Sequence, residues 1–181
     1  HTYSRNKTEK ERKHDGDTVE TRRKYGGNTT EKQQKHYRNT IEPRKWKSSG
    51  RKENIIMLQK ISTDKAPAAI GPYSQGIIAN GMLFASGQIP INPVTGNIEG
   101  EDITAQAELV MKNVGALLAE AGTCYENVVK TTCFLADMGD FAAFNEVYAK
   151  CFTEKPARSC VAVKTLPKNV LCEVEVIAAV S

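Results

Sequence analysis

The chain has 181 residues and a net charge of +4 at neutral pH, from 25 Lys+Arg against 21 Asp+Glu. Residues 1–54 hold 16 of those bases and 8 of the acids, whereas residues 55–181 hold 9 and 13, so the basic excess belongs to the amino-terminal third. A nucleic-acid-binding domain is therefore not what the charge describes. The three histidines, His1, His14 and His36, also fall in that third, which leaves the rest of the chain without the imidazoles of a zinc site or of a Ser-His or Cys-His nucleophile.

Residues 1–56 read as a disordered basic tail. Tyr3, Val19, Tyr25, Tyr37, Ile41 and Trp46 are the only residues of residues 1–54 able to build a core, too few to offset about 1–2 kcal/mol of backbone entropy per ordered residue. The chain opens on His1, and Met57 directly precedes the first apolar pattern. Met57 is thus a candidate native start and the tail a candidate upstream or appended segment. A mitochondrial leader is the alternative, opposed by the tail's acidic residues. No stretch approaches 18 apolar residues and no secretory signal is visible. A soluble cytoplasmic protein is expected, with the mitochondrial matrix as the alternative and no membrane partner.

From residue 57 the chain reads as one domain. A strand is possible at Leu58–Ile61. Ile77–Ala79 and Met82–Ser86 flank Asn80-Gly81, the dipeptide that favours the positive φ angles of a tight hairpin. Residues 87–100, punctuated by Pro90, Pro93 and Gly96, read as a loop. Apolar residues at Ile103, Ala107, Val110, Met111, Val114, Leu117, Leu118 and Ala121 keep a helical spacing, with Asp102 placed to cap the start and Gly122 the end. Val128–Ala136 is β-rich. A second helix from about Asp140 puts Phe141, Phe144, Val147, Tyr148 and Phe152 on one side. Strands at Ser159–Leu166 and Leu171–Val180 close the domain around a turn at Pro167-Lys168-Asn169.

This order predicts an α+β fold, one mixed sheet with both helices on one face. The other face is then bare, and self-association is the common way to cover it. Five cysteines, Cys124, Cys133, Cys151, Cys160 and Cys172, form no C-x-x-C pair and read as buried, reduced thiols.

Arg158 is the sole arginine after residue 54 and stands where a loop becomes a strand. Its planar fork suits a carboxylate. Along Leu171–Ile177, period-two alternation puts Cys172, Val174 and Val176 on one face and Glu173 and Glu175 on the other, among apolar neighbours. One carboxylate able to handle water or a proton, near one arginine that fixes an acidic substrate, is a workable site; a solvated acidic edge is the plainer alternative. Tyr73 offers a phenol beside a turn, Gly87 lets backbone approach a ligand, and Asn145 reads as a solvated helix residue. Cys160 has no histidine to activate it, so a packing or backbone role is preferred. No phosphate-binding glycine loop is present.

Taken together, Ala66–Gln75, Ala85-Ser86-Gly87-Gln88-Ile89-Pro90 and Pro156-Ala157-Arg158-Ser159-Cys160 resemble the reactive-intermediate deaminases, the YjgF-like proteins. Phe144–Tyr148 and Glu173-Val174-Glu175 fall where that family has similar segments, and the match runs from about Lys60 to Ala179. The resemblance implies a chorismate-mutase-like homotrimer with clefts between subunits, no cofactor and no metal. It implies hydrolysis of 2-imino or enamine acids, released by pyridoxal-phosphate enzymes, to 2-keto acids and ammonia. It assigns the substrate carboxylate to Arg158, the attacking water to Glu173, pocket lining to Tyr73 and Asn145, and backbone contacts to Gly87 and Cys160. The short Phe152–Pro156 segment departs from longer versions in the family and bears on substrate range. Two other functions compete: a non-catalytic ligand-binding or chaperone-like trimer, and an endoribonuclease or translation inhibitor, for which the acidic domain supplies neither a basic groove nor histidine pairs.

Overall fold

The structure, a computed structural model, describes residues 41–45 and 55–180. A single seven-stranded sheet is built from β1 (Ile41–Lys45), β2 (Ile55–Ile61), β3 (Gly76–Ala79), β4 (Met82–Ala85), β5 (Val128–Leu135), β6 (Ala157–Ala162) and β7 (Cys172–Ala179). Its order is β1-β2-β3-β4-β7-β5-β6. Among the described residues two α-helices, α1 (Ile103–Glu120) and α2 (Phe141–Cys151), accompany it. Every pairing is antiparallel except β5 with β6, whose parallel connection is made by α2, as a crossover requires.

The β3–β4 hairpin forms where Asn80-Gly81 predicts it, with φ of +51° and +72° at the two turn residues. Asp102 caps α1 by accepting from the Ala105 amide at 2.8 Å. At the other end Gly122 donates to the Ala119 carbonyl and Thr123 to that of Leu118, the paired bonds of a Schellman cap. All eight apolar positions expected on α1 are buried, as are Phe144, Val147, Tyr148 and Phe152 from the second helical segment. They meet Cys172, Val174, Val176 and Ala178 of β7 and Cys133 and Leu135 of β5 in one core. Removing one such side chain, as in Leu117→Ala, is expected to cost about 2–5 kcal/mol of stability, read as a lowered urea midpoint.

β7 lies between β4 and β5, so its two faces see different surroundings. Its even-numbered residues are buried under the helices, while Glu173, Glu175, Ile177 and Ala179 face the other way. The cross-strand registers Phe84↔Ile177, Phe134↔Glu173 and Phe134↔Val161 carry that second face across the sheet. Phe84 is 48 % and Val161 47 % exposed there. The expectation of a mixed sheet with two helices on one face is met.

Three details differ from the sequence reading. β1 lies within the stretch assigned to a disordered tail, and β2 starts at Ile55, so strand pairing crosses the expected domain boundary at Met57. The physical reason is the open edge of β2, whose unpaired backbone groups accept another strand despite low apolar content; a strand containing Pro43 suits that outermost position. The remainder of the expected tail, with the three histidines, lies outside the described residues. β6 begins at Ala157 and stops at Ala162, so Arg158 sits inside the strand. Finally, Cys124 is exposed rather than buried, in the turn that leaves α1. Among the described residues, no helix is long and apolar enough to cross a membrane.

Candidate functional site

The structure divides the expected site residues into two groups. The first is built on β6 and α2. Arg158 pairs in register with Thr131 on the helix side of the sheet and reaches α2, where its Nη1 donates to Asn145 Oδ1 at 2.7 Å. The guanidinium carbon lies 4.6 Å from the centre of the Tyr148 ring and 5.5 Å from that of Phe141. Phe141, Asn145 and Tyr148 are spaced four and three residues apart, which puts them on one stripe of the helix. Asn145 is therefore no solvated surface residue but the amide that orients the arginine.

Cys160 pairs with Cys133 in the same register. Burial pushes the Cys160 thiol above its ordinary pKa, and the Arg158 charge offsets this only in part. Cys133 is pushed up to about 12, chiefly by burial. Neither is disposed to be a thiolate, in keeping with a packing or backbone role for Cys160.

The second group lies on the bare face. Gly87 is held by the antiparallel bridge between Gln88 and Val174, with Gln88 N donating to Val174 O at 2.8 Å and Val174 N to Gln88 O at 3.1 Å. This presses Gly87 against Glu173 so closely that a Cβ at position 87 would stand 1.8 Å from Glu173 Oε1. Any side chain at position 87 would therefore displace the Glu173 carboxyl. The Glu173 carboxyl is half-buried, and desolvation first, then the neighbouring Glu175 charge, raises its pKa above the usual carboxylate value. Tyr73 precedes two residues tied to Ser86, the neighbour of Gly87: Ser86 Oγ donates to Ser74 O at 2.7 Å and its amide donates to Gln75 O at 2.9 Å. The Tyr73 ring is half exposed, and its hydroxyl accepts from the Ile70 amide at 3.4 Å.

Arg158 and Glu173 thus stand on opposite faces of one sheet, on strands separated by β5. The expected carboxylate near an arginine is not assembled within one copy of the chain.

Sequence reasoning missed Gln75, which is 4 % exposed. Its Oε1 accepts from Thr63 N at 2.7 Å, while Nε2 donates to the carbonyls of Thr63, Ala66 and Pro67 at 3.0, 3.3 and 2.7 Å. One side chain thereby folds residues 63–67 against the Tyr73 turn. Gln75→Leu is expected to cost about 2–4 kcal/mol, because the backbone groups it satisfies are left unpaired; urea unfolding of the variant measures this. Gln88 is likewise buried and donates to the carbonyls of Ser86 and Gly87 at 3.0 and 3.2 Å. Both glutamines stand in turn-rich segments of the sequence, where nothing local marks them as buried, yet a buried amide needs internal partners.

A family model described as Endoribonuclease L-PSP matches residues 63–180. The chain belongs to that family. A RutC family protein of Synechocystis is 54 % identical over 126 residues, 68 % of this chain and 97 % of the relative. A protein of Salmonella typhimurium named 2-iminobutanoate/2-iminopropanoate deaminase is 48 % identical over 126 residues, 67 % of this chain and 98 % of the relative. Among solved structures, Escherichia coli TdcF with bound serine superposes with a TM-score of 0.64 at 47 % identity, covering 67 % of this chain and 98 % of that one. The resemblance drawn from the motifs is borne out, as is the fold class. β1 and β2 precede the matched residues.

Proposed function

We propose that the protein hydrolyses 2-imino acids, and the enamines that tautomerise to them, to 2-keto acids and ammonia. One observation carries this reading: the guanidinium of Arg158 is oriented by a neutral amide and two aromatic rings, and among the described residues no carboxylate pairs with it. A charged fork held this way is prepared for a small acid from outside. Because Arg158 and Glu173 face away from each other, we place the working site between copies, with the β6 edge of one copy against the bare face of the next. The exposed Phe84 and Val161 favour such burial. A homotrimer, as the family resemblance implies, gives three equivalent sites of this kind.

In such a cleft Arg158 holds the substrate carboxylate and presents the imine carbon to a water near Glu173. The water oxygen bonds to that carbon as the C=N pair moves to nitrogen, and Glu173 takes the water's proton and returns it to the nitrogen. Glu173 then carries the hydroxyl proton of the resulting carbinolamine to its nitrogen as the C–N bond breaks, releasing ammonia and the 2-keto acid. An iminium carbon is already electrophilic, so positioning and one proton shuttle suffice. The upward shift of Glu173 brings the carboxyl closer to neutral pH, where a proton carrier works best.

The shift has a stability consequence. Glu173 binds its proton more readily folded than unfolded, so its contribution is fully present below the unfolded pKa and is lost as pH rises through the raised folded value. Glu173→Gln is therefore expected to abolish turnover while making the unfolding midpoint fall less between pH 4 and 8 than in the wild type. Paired melts of the two proteins read this directly, and parallel curves would contradict it.

The function itself is tested by coupling a threonine dehydratase to the full chain and following 2-oxobutanoate. Faster release of the keto acid and ammonia is expected. The absence of any acceleration would favour a binding role without turnover.

A further inference from the structure

We infer that Tyr148, locked by the buried hydroxyl of Thr131, is the positioning residue that sets the plane of the Arg158 guanidinium. This deepens the proposed function and rests on it for its chemical purpose, though the geometry stands alone. Tyr148 is buried, and its hydroxyl meets Thr131 Oγ1 at 2.9 Å in the core. Thr131 is fully buried on β5 and is the register partner of Arg158. The arginine backbone and the ring beneath its guanidinium are thus referred to the same residue of the same strand.

The ring cannot tilt freely. On the side of Phe152 it is stacked at 4.3 Å between centroids and 29° between planes. Phe152 in turn meets the edge of Tyr125 at 5.0 Å and 82°, and the Tyr125 hydroxyl donates to the Met111 carbonyl of α1. A series of packed rings therefore runs from α1 to the arginine. Phe141 borders the guanidinium as well, at 5.5 Å, and Asn145 fixes one of its nitrogens. A guanidinium held over an aromatic face has that face closed to other partners, so its N–H groups are left to a planar carboxylate at the side.

Among the described residues, Thr131 is the one hydrogen-bond partner of the Tyr148 hydroxyl. The short Phe152–Pro156 connection fits this picture. Lys155 turns the chain with φ of +53°, and its amide donates to Phe152 O at 3.2 Å. Phe152, the middle ring of the series, and the strand that carries Arg158 are joined by only that turn.

The test uses the full chain labelled with ¹⁵N-arginine, with the Arg158 signals assigned by their loss in Arg158→Lys. In the wild type, Arg158 Nη protons should appear as separate, slowly exchanging signals, shifted by ring currents. Tyr148→Leu should merge them into one averaged signal at the position of exposed arginines, and Tyr148→Phe, which keeps the ring but not the lock, should fall between. Thr131→Val should match Tyr148→Phe. Binding of 2-oxobutanoate, followed by calorimetry, should weaken at least tenfold in Tyr148→Leu and about threefold in Tyr148→Phe, while the neutral 2-oxobutanamide binds all of them alike. Unchanged Arg158 signals in a folded Tyr148→Leu protein would overturn the inference. Altered signals without any binding of 2-oxobutanoate, even to the wild type, would uphold the positioning role and remove the proposed substrate class.

Discussion

Arg158→Ala should release no 2-oxobutanoate faster than the dehydratase does alone. Removing one partner of a desolvated charge pair costs about 2–5 kcal/mol, a loss of roughly 30- to several-thousand-fold in kcat/KM. Arg158→Lys keeps the charge but neither the fork nor the stacking on Tyr148, so it should recover only a small part of the activity. The effect separates the hydrolytic reading from a scaffold that merely keeps the fold, because Arg158 is not part of the hydrophobic core and its loss leaves the core contacts intact. A stopped assay for ammonia at several substrate concentrations measures both parameters. Equal activity of Arg158→Ala and the wild type would remove the arginine from the reaction.

Gly87→Ala is expected to be nearly as damaging by another route. The added methyl would lie 1.8 Å from Glu173 Oε1 and 2.7 Å from its carboxyl carbon, distances at which one group must move. The Gln88–Val174 bridge holds the backbone of residue 87 in place, so the Glu173 side chain is what yields. Misplacing a reacting group by about 1 Å can cost on the order of 10²-fold. The prediction is a fall of that size in kcat with far less change in the affinity for 2-oxobutanoate, whose carboxylate Arg158 holds. If instead kcat were retained and affinity lost, Glu173 would be a binding group and the proton shuttle would lie elsewhere.

Much of the scaffold could be read in advance because its signals are periodic and local. The eight apolar positions of α1, its caps, the Asn80-Gly81 hairpin and the alternation of β7 each follow from spacing and side-chain chemistry within a few residues. Arg158 stands out in the sequence by being alone, and Glu173 with Glu175 by their apolar neighbours, whereas the choice of Glu173 and Gly87 as site candidates rests on the family resemblance.

What escaped the sequence depends on contacts between distant segments. Asn145 reads as a solvated helix residue until β6 is placed beside α2, thirteen positions away. Tyr148 reads as core, which it is, and nothing local reveals that its other face supports a guanidinium. Gln75 reads as part of a loop motif, yet it organises the loop in front of it. The separation of Arg158 from Glu173 follows from the face each residue takes in the common sheet. Since β6 runs parallel to β5 and β7 antiparallel to it, only the register decides which side chains share a side. β1 was missed for a related reason, since its pairing is supplied by an open edge rather than by its own hydrophobicity.

One mixing experiment tests the whole account. Arg158→Ala and Glu173→Gln proteins, each inactive alone, are unfolded together in equal amounts, refolded and assayed for release of 2-oxobutanoate. If each site takes its arginine from one copy and its glutamate from the next, random reassembly gives both native residues to about a quarter of the interfaces, and activity should return to about that share of the wild-type value. A refolded mixture no more active than either variant would contradict a hydrolytic site shared in this way.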